Sequence, residues 1–184
     1  MNIIEFINSK AIREHMAKFG DIFSPFDKSY LIYQARKKSV QEKISAMNEL
    51  LEKGEYAEFY NYYDRFNIRY DQFREYNSIA YLSSYYSTVC KYLSDYLFAK
   101  ESYSDPLLRL CTAMKDYVDD YKSVIKREDN DFTIRYINDL HDQFTNLIKN
   151  CLNYTDEDIA KIGDLSSSEL VILTTERMNH EEEQ

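Results

Sequence analysis

The chain contains no tryptophan, three glycines, two prolines, three cysteines and three histidines in 184 residues. Each scarcity excludes something. A β-rich fold needs many turns, and turns consume Gly and Pro. Gly20, Gly54, Gly163, Pro25 and Pro106 are too few for that, so long helices are expected. Phosphate-cradling loops cluster their glycines. Here no two lie within 30 positions of each other, which excludes Walker and dinucleotide fingerprints. Cys90, Cys111 and Cys151 form an odd set with no C-x-x-C pair. That argues against a secreted disulfide framework or a zinc ribbon and points to reduced thiols in a cytoplasm. His15, His141 and His180 are too scattered for the paired-His motif of a helical zinc hydrolase. No window approaches the ~20 consecutive apolar residues of a membrane span. The opening Met1-Asn2-Ile3-Ile4-Glu5 lacks the basic region and apolar run of a signal peptide.

What is present is aromatic and acidic. There are 18 Tyr and 10 Phe, the mean hydropathy is −0.60 and the net charge is −9. A chain of this length buries roughly 70% of its unfolded surface, enough for a core without disulfides or metals. The charge is uneven. Residues 1–53 carry 9 basic and 7 acidic side chains, a net of +2, and residues 54–184 carry 14 and 25, a net of −11. We therefore divide the chain into an N-terminal short-helix subdomain, 1–53, and an acidic helical bundle, 54–184. The negative field over the second part disfavours nonspecific DNA binding. Abundant Asn, Lys, Ile and Tyr resemble AT-rich coding.

Punctuation along the chain predicts an all-α, multi-helix bundle of about seven to nine helices. Asn8-Ser9 starts a helix that Gly20 stops. Ser24-Pro25-Phe26-Asp27 starts a second, running to about Lys38. Ser39-Val40-Gln41-Glu42 matches a capping box and opens a third, with Ile44, Met47, Leu50 and Leu51 on one face and Gly54 at its end. Residues 55–103 contain no Gly or Pro. As one helix they would run roughly 73 Å, against about 41 Å across a compact domain of this size. This long central segment must therefore kink or fold back. Phe59, Tyr63, Phe66, Tyr70 and Phe73 form one stripe, and Ile79, Leu82, Tyr86, Val89, Leu93 and Tyr96 another. The phase changes between them, placing a kink near Asn77-Ser78. Later helices start at Ser104-Asp105-Pro106, Asp129-Asn130-Asp131, Thr155 and the capping box Ser166–Glu169, with a fraying tail from His180.

Motifs that carry chemistry are thin. His141-Asp142 matches part of the ligand set of helical metal-dependent phosphohydrolases, without the further ligands. No local sequence marks a cysteine nucleophile. We expect no catalytic centre, no cofactor and no metal. Two surface features remain. Acidic residues cluster at Asp116, Asp119 and Asp120, at Glu128, Asp129 and Asp131, and at Asp156, Glu157 and Asp158. Asp116 and Asp120 share a helix face, as a mimic of DNA phosphates requires, although Lys115, Lys122, Lys126 and Arg127 interrupt the row. Tyr60, Tyr62, Tyr81, Tyr85 and Tyr92 fall off the core stripes. Tyr suits protein interfaces because an apolar ring carries a polar tip. The candidate partner-binding residues are therefore Asp116, Asp119, Asp120, Asp129, Asp131, Tyr60, Tyr62, Tyr81 and Tyr85. Surplus apolar positions in 55–103 favour a homodimer.

The opening also carries a resemblance. Phe6-Ile7-Asn8-Ser9, Ile12-Arg13-Glu14-His15, Phe23-Ser24-Pro25 and Tyr30-Leu31-Ile32-Tyr33-Gln34 resemble the start of a family of small, uncharacterised proteins. That family belongs to conjugative elements and phages of low-GC Gram-positive gut bacteria, and the resemblance covers roughly residues 3–50. It implies an accessory protein of mobile DNA, cytoplasmic in a bacterial host. By extension it implies an anti-CRISPR-like inhibitor that binds a host defence nuclease, a CRISPR effector being the leading partner. The alternatives are a regulatory or structural interaction protein of the element, and a weak DNA binder using Arg36, Lys37 and Lys38.

Overall fold

The computed structural model describes residues 25–66, 74–98 and 105–182, and among these every regular element is helical. Seven helices follow in order: α1 Pro25–Glu52, α2 Tyr56–Arg65, α3 Arg74–Phe98, α4 Pro106–Arg127, α5 Asp131–Leu152, α6 Asp156–Lys161 and α7 Ser167–Glu182. The architecture is the expected all-α bundle. The helix expected from Asn8 to Gly20, and the stripe positions Tyr70 and Phe73, lie outside the described residues. The chain divides into two compact units, Met1–Glu49 and Leu50–Gln184.

From Pro25 to Glu52 one helix of 28 residues replaces the two expected. The capping box read at Ser39 does not act as one, because α1 continues through it and Ser39 is an exposed mid-helix residue. Nothing in Ala35–Lys38 breaks a helix, so continuing the backbone ladder wins over a cap worth about 1 kcal/mol. Lys38 and Glu42 instead form an exposed i, i+4 pair at 4.0 Å.

Gly54, with a φ of +70°, ends α1 in the left-handed region. Helices α2 and α3 fold back on each other. The Phe59 and Tyr76 rings stand 6.2 Å apart, and the Tyr63 hydroxyl donates to Asn77 Oδ1 at 3.1 Å. The central segment is thus broken, but not at Asn77-Ser78. Those residues lie inside α3, and α2 ends at Arg65. The phase change was misplaced because Tyr76 is core, 2% exposed, and continues the Ile79 and Leu82 stripe backwards.

Helix α4 starts as its sequence demands. The Asp105 side chain accepts from the backbone N–H groups of Leu107 and Leu108 at 3.1 and 3.2 Å, with Pro106 in the first turn. Asn130 caps α5, and Thr155 with Asp158 forms a full capping box on α6. Ser166 and Glu169 bond reciprocally at the start of α7, which continues past His180 to Glu182 instead of fraying there.

Leu82, Val89 and Leu93 of α3, Leu110, Met114 and Tyr117 of α4, and Ile137, Leu140, Phe144 and Ile148 of α5 are each at most 4% exposed. Burying each such side chain contributes about 1.5–3 kcal/mol, which sets α3, α4 and α5 as the frame on which any surface site is carried. No described helix is long and apolar enough to cross a membrane.

Candidate functional site

Helix α4 sorts its charges by side. Lys115 Nζ donates to the carbonyls of Gly163 and Leu165, both at 2.9 Å, and so holds the loop between α6 and α7. Lys122 Nζ lies beside the same loop, where a Cβ on Gly163 would meet it at 2.6 Å. Lys115 and Lys122, which seemed to interrupt the acidic row, therefore face the scaffold. Arg109, Asp116, Asp120 and Arg127 follow 7-4-7 spacing, which keeps them within ~40° of one another around the helix. Their stripe borders α3.

On α3 the matching stripe is Tyr81, Tyr85, Thr88 and Tyr92. Tyr81 is 57% and Tyr85 40% exposed. Between the two stripes runs a groove of about 470 Å³, lined by Ser84, Tyr85, Thr88 and Tyr92 of α3 and by Leu108, Arg109, Thr112, Ala113 and Asp116 of α4. It joins Tyr85 and Tyr92 with Asp116, which sequence reasoning singled out separately. Neither Arg109 nor Asp116 has a side-chain hydrogen bond or ion pair among the described residues. Leu108, Arg109 and Thr112 were not anticipated. The signal was the seven-residue step from Arg109 to Asp116, visible once α4 is drawn as a helix.

The other candidates lie around this groove or away from it. Tyr81 sits at the α2 edge, near enough to Tyr63 to contribute, after burial, to raising that phenol's pKa. Asp119 is exposed on α4. Asp120 is half-buried, and Oδ2 is enclosed without a partner. Burial raises its carboxyl pKa, with Arg127 opposing. Asp129 lies in the turn before α5, lining a second cleft of about 490 Å³ with Arg127 and Glu128. Asp131 is the first residue of α5, where negative charge favours the helix dipole. Tyr60 and Tyr62 are half-buried on α2, and the Tyr62 ring packs on Phe66 at 4.6 Å. The structure does not bring Asp129, Asp131, Tyr60 or Tyr62 into the groove.

His141 faces inward. Its ring stacks on Tyr121 at 3.7 Å and 3°, and Nδ1 lies 3.4 Å from the Tyr117 hydroxyl. Burial lowers its pKa below 6.5, and Asp142 opposes this. Among the described residues no three His, Cys, Asp or Glu side chains converge as metal ligands. Cys90, Cys111 and Cys151 are all free thiols. Burial raises the Cys90 and Cys111 thiol pKa values, Cys111 to about 11, the opposite of activation.

Fold and groove together define an all-α bundle with an exposed tyrosine-lined cleft carrying one cation and one anion. No protein-family model, curated protein or solved structure matches the chain.

Proposed function

We propose that this chain is a non-enzymatic binding protein whose α3–α4 groove grips a protein partner. The observation that carries the reading is the convergence of Tyr85, Tyr92 and Leu108 with the unpaired Arg109 and Asp116 in one cleft. Rings with polar tips and exposed charges are what protein interfaces use for area and register. The N-terminal resemblance supplies the partner class: a host defence nuclease, with a CRISPR effector first among candidates, inhibited by occupancy.

Two grips are distinguishable. If the aspartates imitate phosphates in a Lys/Arg groove, binding falls steeply with salt. If the tyrosines dominate, salt matters little. The presence of Arg109 in the cleft favours the tyrosine grip, because a phosphate mimic gains nothing from a cation. The test is capture from host lysate after nuclease treatment, with partners identified by mass spectrometry. Wild type should recover a defence nuclease, and Tyr85→Ala should lose it. Capture that survives Tyr85→Ala refutes the groove. A signal carried by DNA alone, strengthened by Asp116→Lys with Asp120→Lys, refutes inhibition by binding protein.

A further inference from the structure

We infer that a second copy of this chain seats on the α3–α4 groove, the two copies related by a two-fold axis through its centre. The inference rests on reading the groove as a protein-binding face, and it names one occupant.

Helices α3 and α4 are antiparallel, as the Ser78 hydroxyl donating to Glu128 shows by joining the start of one to the end of the other. Tyr85 therefore lies toward the Asp116 end and Tyr92 toward the Arg109 end. Both stripes line the same groove, and its centre serves as their common midpoint. Tyr85 and Tyr92 flank Thr88, and Arg109 and Asp116 flank Thr112 and Ala113. A two-fold rotation about that midpoint exchanges the ends. It sets Arg109 of each copy over Asp116 of the other, and Tyr85 over Tyr92. Ring meets ring and cation meets anion, which is the self-complementarity that an isologous interface demands. The two charge pairs lie two turns of α4 apart, about 10.5 Å, and the two-fold symmetry makes both form together or not at all.

The centre suits close approach. Thr88, Thr112 and Ala113 are small, as helices packed 8–10 Å apart require. Both threonine hydroxyls are already satisfied inside their own molecule. Thr88 donates to the Ser84 carbonyl at 3.1 Å and Thr112 to Ser167 Oγ at 3.1 Å. Covering them strands no hydroxyl, so burial there avoids the usual penalty for unpaired polar groups.

Sedimentation equilibrium of the full chain tests this. Wild type should form a species of twice 22.0 kDa at high protein concentration. Arg109→Glu alone and Asp116→Lys alone each create two like-charge contacts by symmetry, and each should weaken association roughly tenfold or more. Arg109→Glu with Asp116→Lys restores opposite charges across the axis and should restore the dimer. Circular dichroism checks that all three variants remain folded. A wild type that stays at 22.0 kDa, single variants that still dimerise, or a double variant that stays monomeric would each overturn the inference. Tyr85-dependent capture of a different protein by a monomeric chain would overturn it while leaving the proposed function standing. A dimer with no such capture would do the reverse.

Discussion

At the residue scale Asp158 is the buried charged side chain among the described residues. It is 4% exposed, accepts from Arg177 Nε and Nη2 at 2.7 and 2.9 Å, and accepts the Thr155 N–H at 2.9 Å. The Arg177 bonds, against the cost of burial, hold its carboxyl at about 2, below the ordinary 3.8. A depressed acid stabilises the fold fully above its unfolded value and loses that contribution as pH falls through its folded value. Stability should therefore decline from about pH 4 toward pH 2, and Asp158→Asn should flatten that decline. At neutral pH the same substitution should cost about 3 kcal/mol in urea unfolding, combining a lost cap with a lost charged pair. His141 slopes over a different range. Its folded pKa lies below 6.5, so the unfolded chain binds the extra proton. Stability should rise as pH climbs toward 6.5 and beyond, and His141→Phe should remove that slope. From sequence, Asp158 read as one acid in a surface cluster. Its partner lies 19 residues away, a distance at which no helical spacing rule operates.

At the element scale three segments carried the same start signal, and two of them use it. Thr155 follows Asn153, whose φ of 61° has already ended α5, and Ser166 follows the turn after Lys161. Ser39 follows four residues that are content in a helix. A cap motif predicts a start only where something upstream supplies a stop, and that is why this boundary was illegible locally. Thr155→Ala should cost about 1 kcal/mol, whereas Ser39→Ala should raise stability by about 0.5 kcal/mol, since Ala is the better helix former. Equal losses at both sites would contradict the continuous α1. Core stripes were legible wherever Leu, Ile and Val carried them, as on α3, α4 and α5. They failed at tyrosine. Tyr56 and Tyr76 are buried, while Tyr81 and Tyr85 are exposed. One residue type serves both environments, and only the neighbouring helix decides which. Tyr56 is settled by Asp139, which accepts from its hydroxyl at 2.5 Å, an 83-residue separation.

For the molecule as a whole, helical class and acidic balance were legible because composition fixes them without knowing any contact. The groove was legible only in halves. Periodicity put Tyr85 and Asp116 each on a helix surface, and the packing of α3 on α4 made them neighbours. With all three thiols free, no disulfide contributes to stability, so the thermal midpoint should be the same with and without reductant. A fall on reduction would reveal a covalent link. The division of labour on α4 reaches further than stability. Lys115 is committed to two carbonyls of the scaffold, while Arg109 and Asp116 bind nothing the bundle needs. Exposed side chains of that kind can be exchanged within about 0.5 kcal/mol. The contact stripe can thus be rewritten one codon at a time, each intermediate still folded, whereas a change at Lys115 on the opposite side of the same helix unties the loop between α6 and α7.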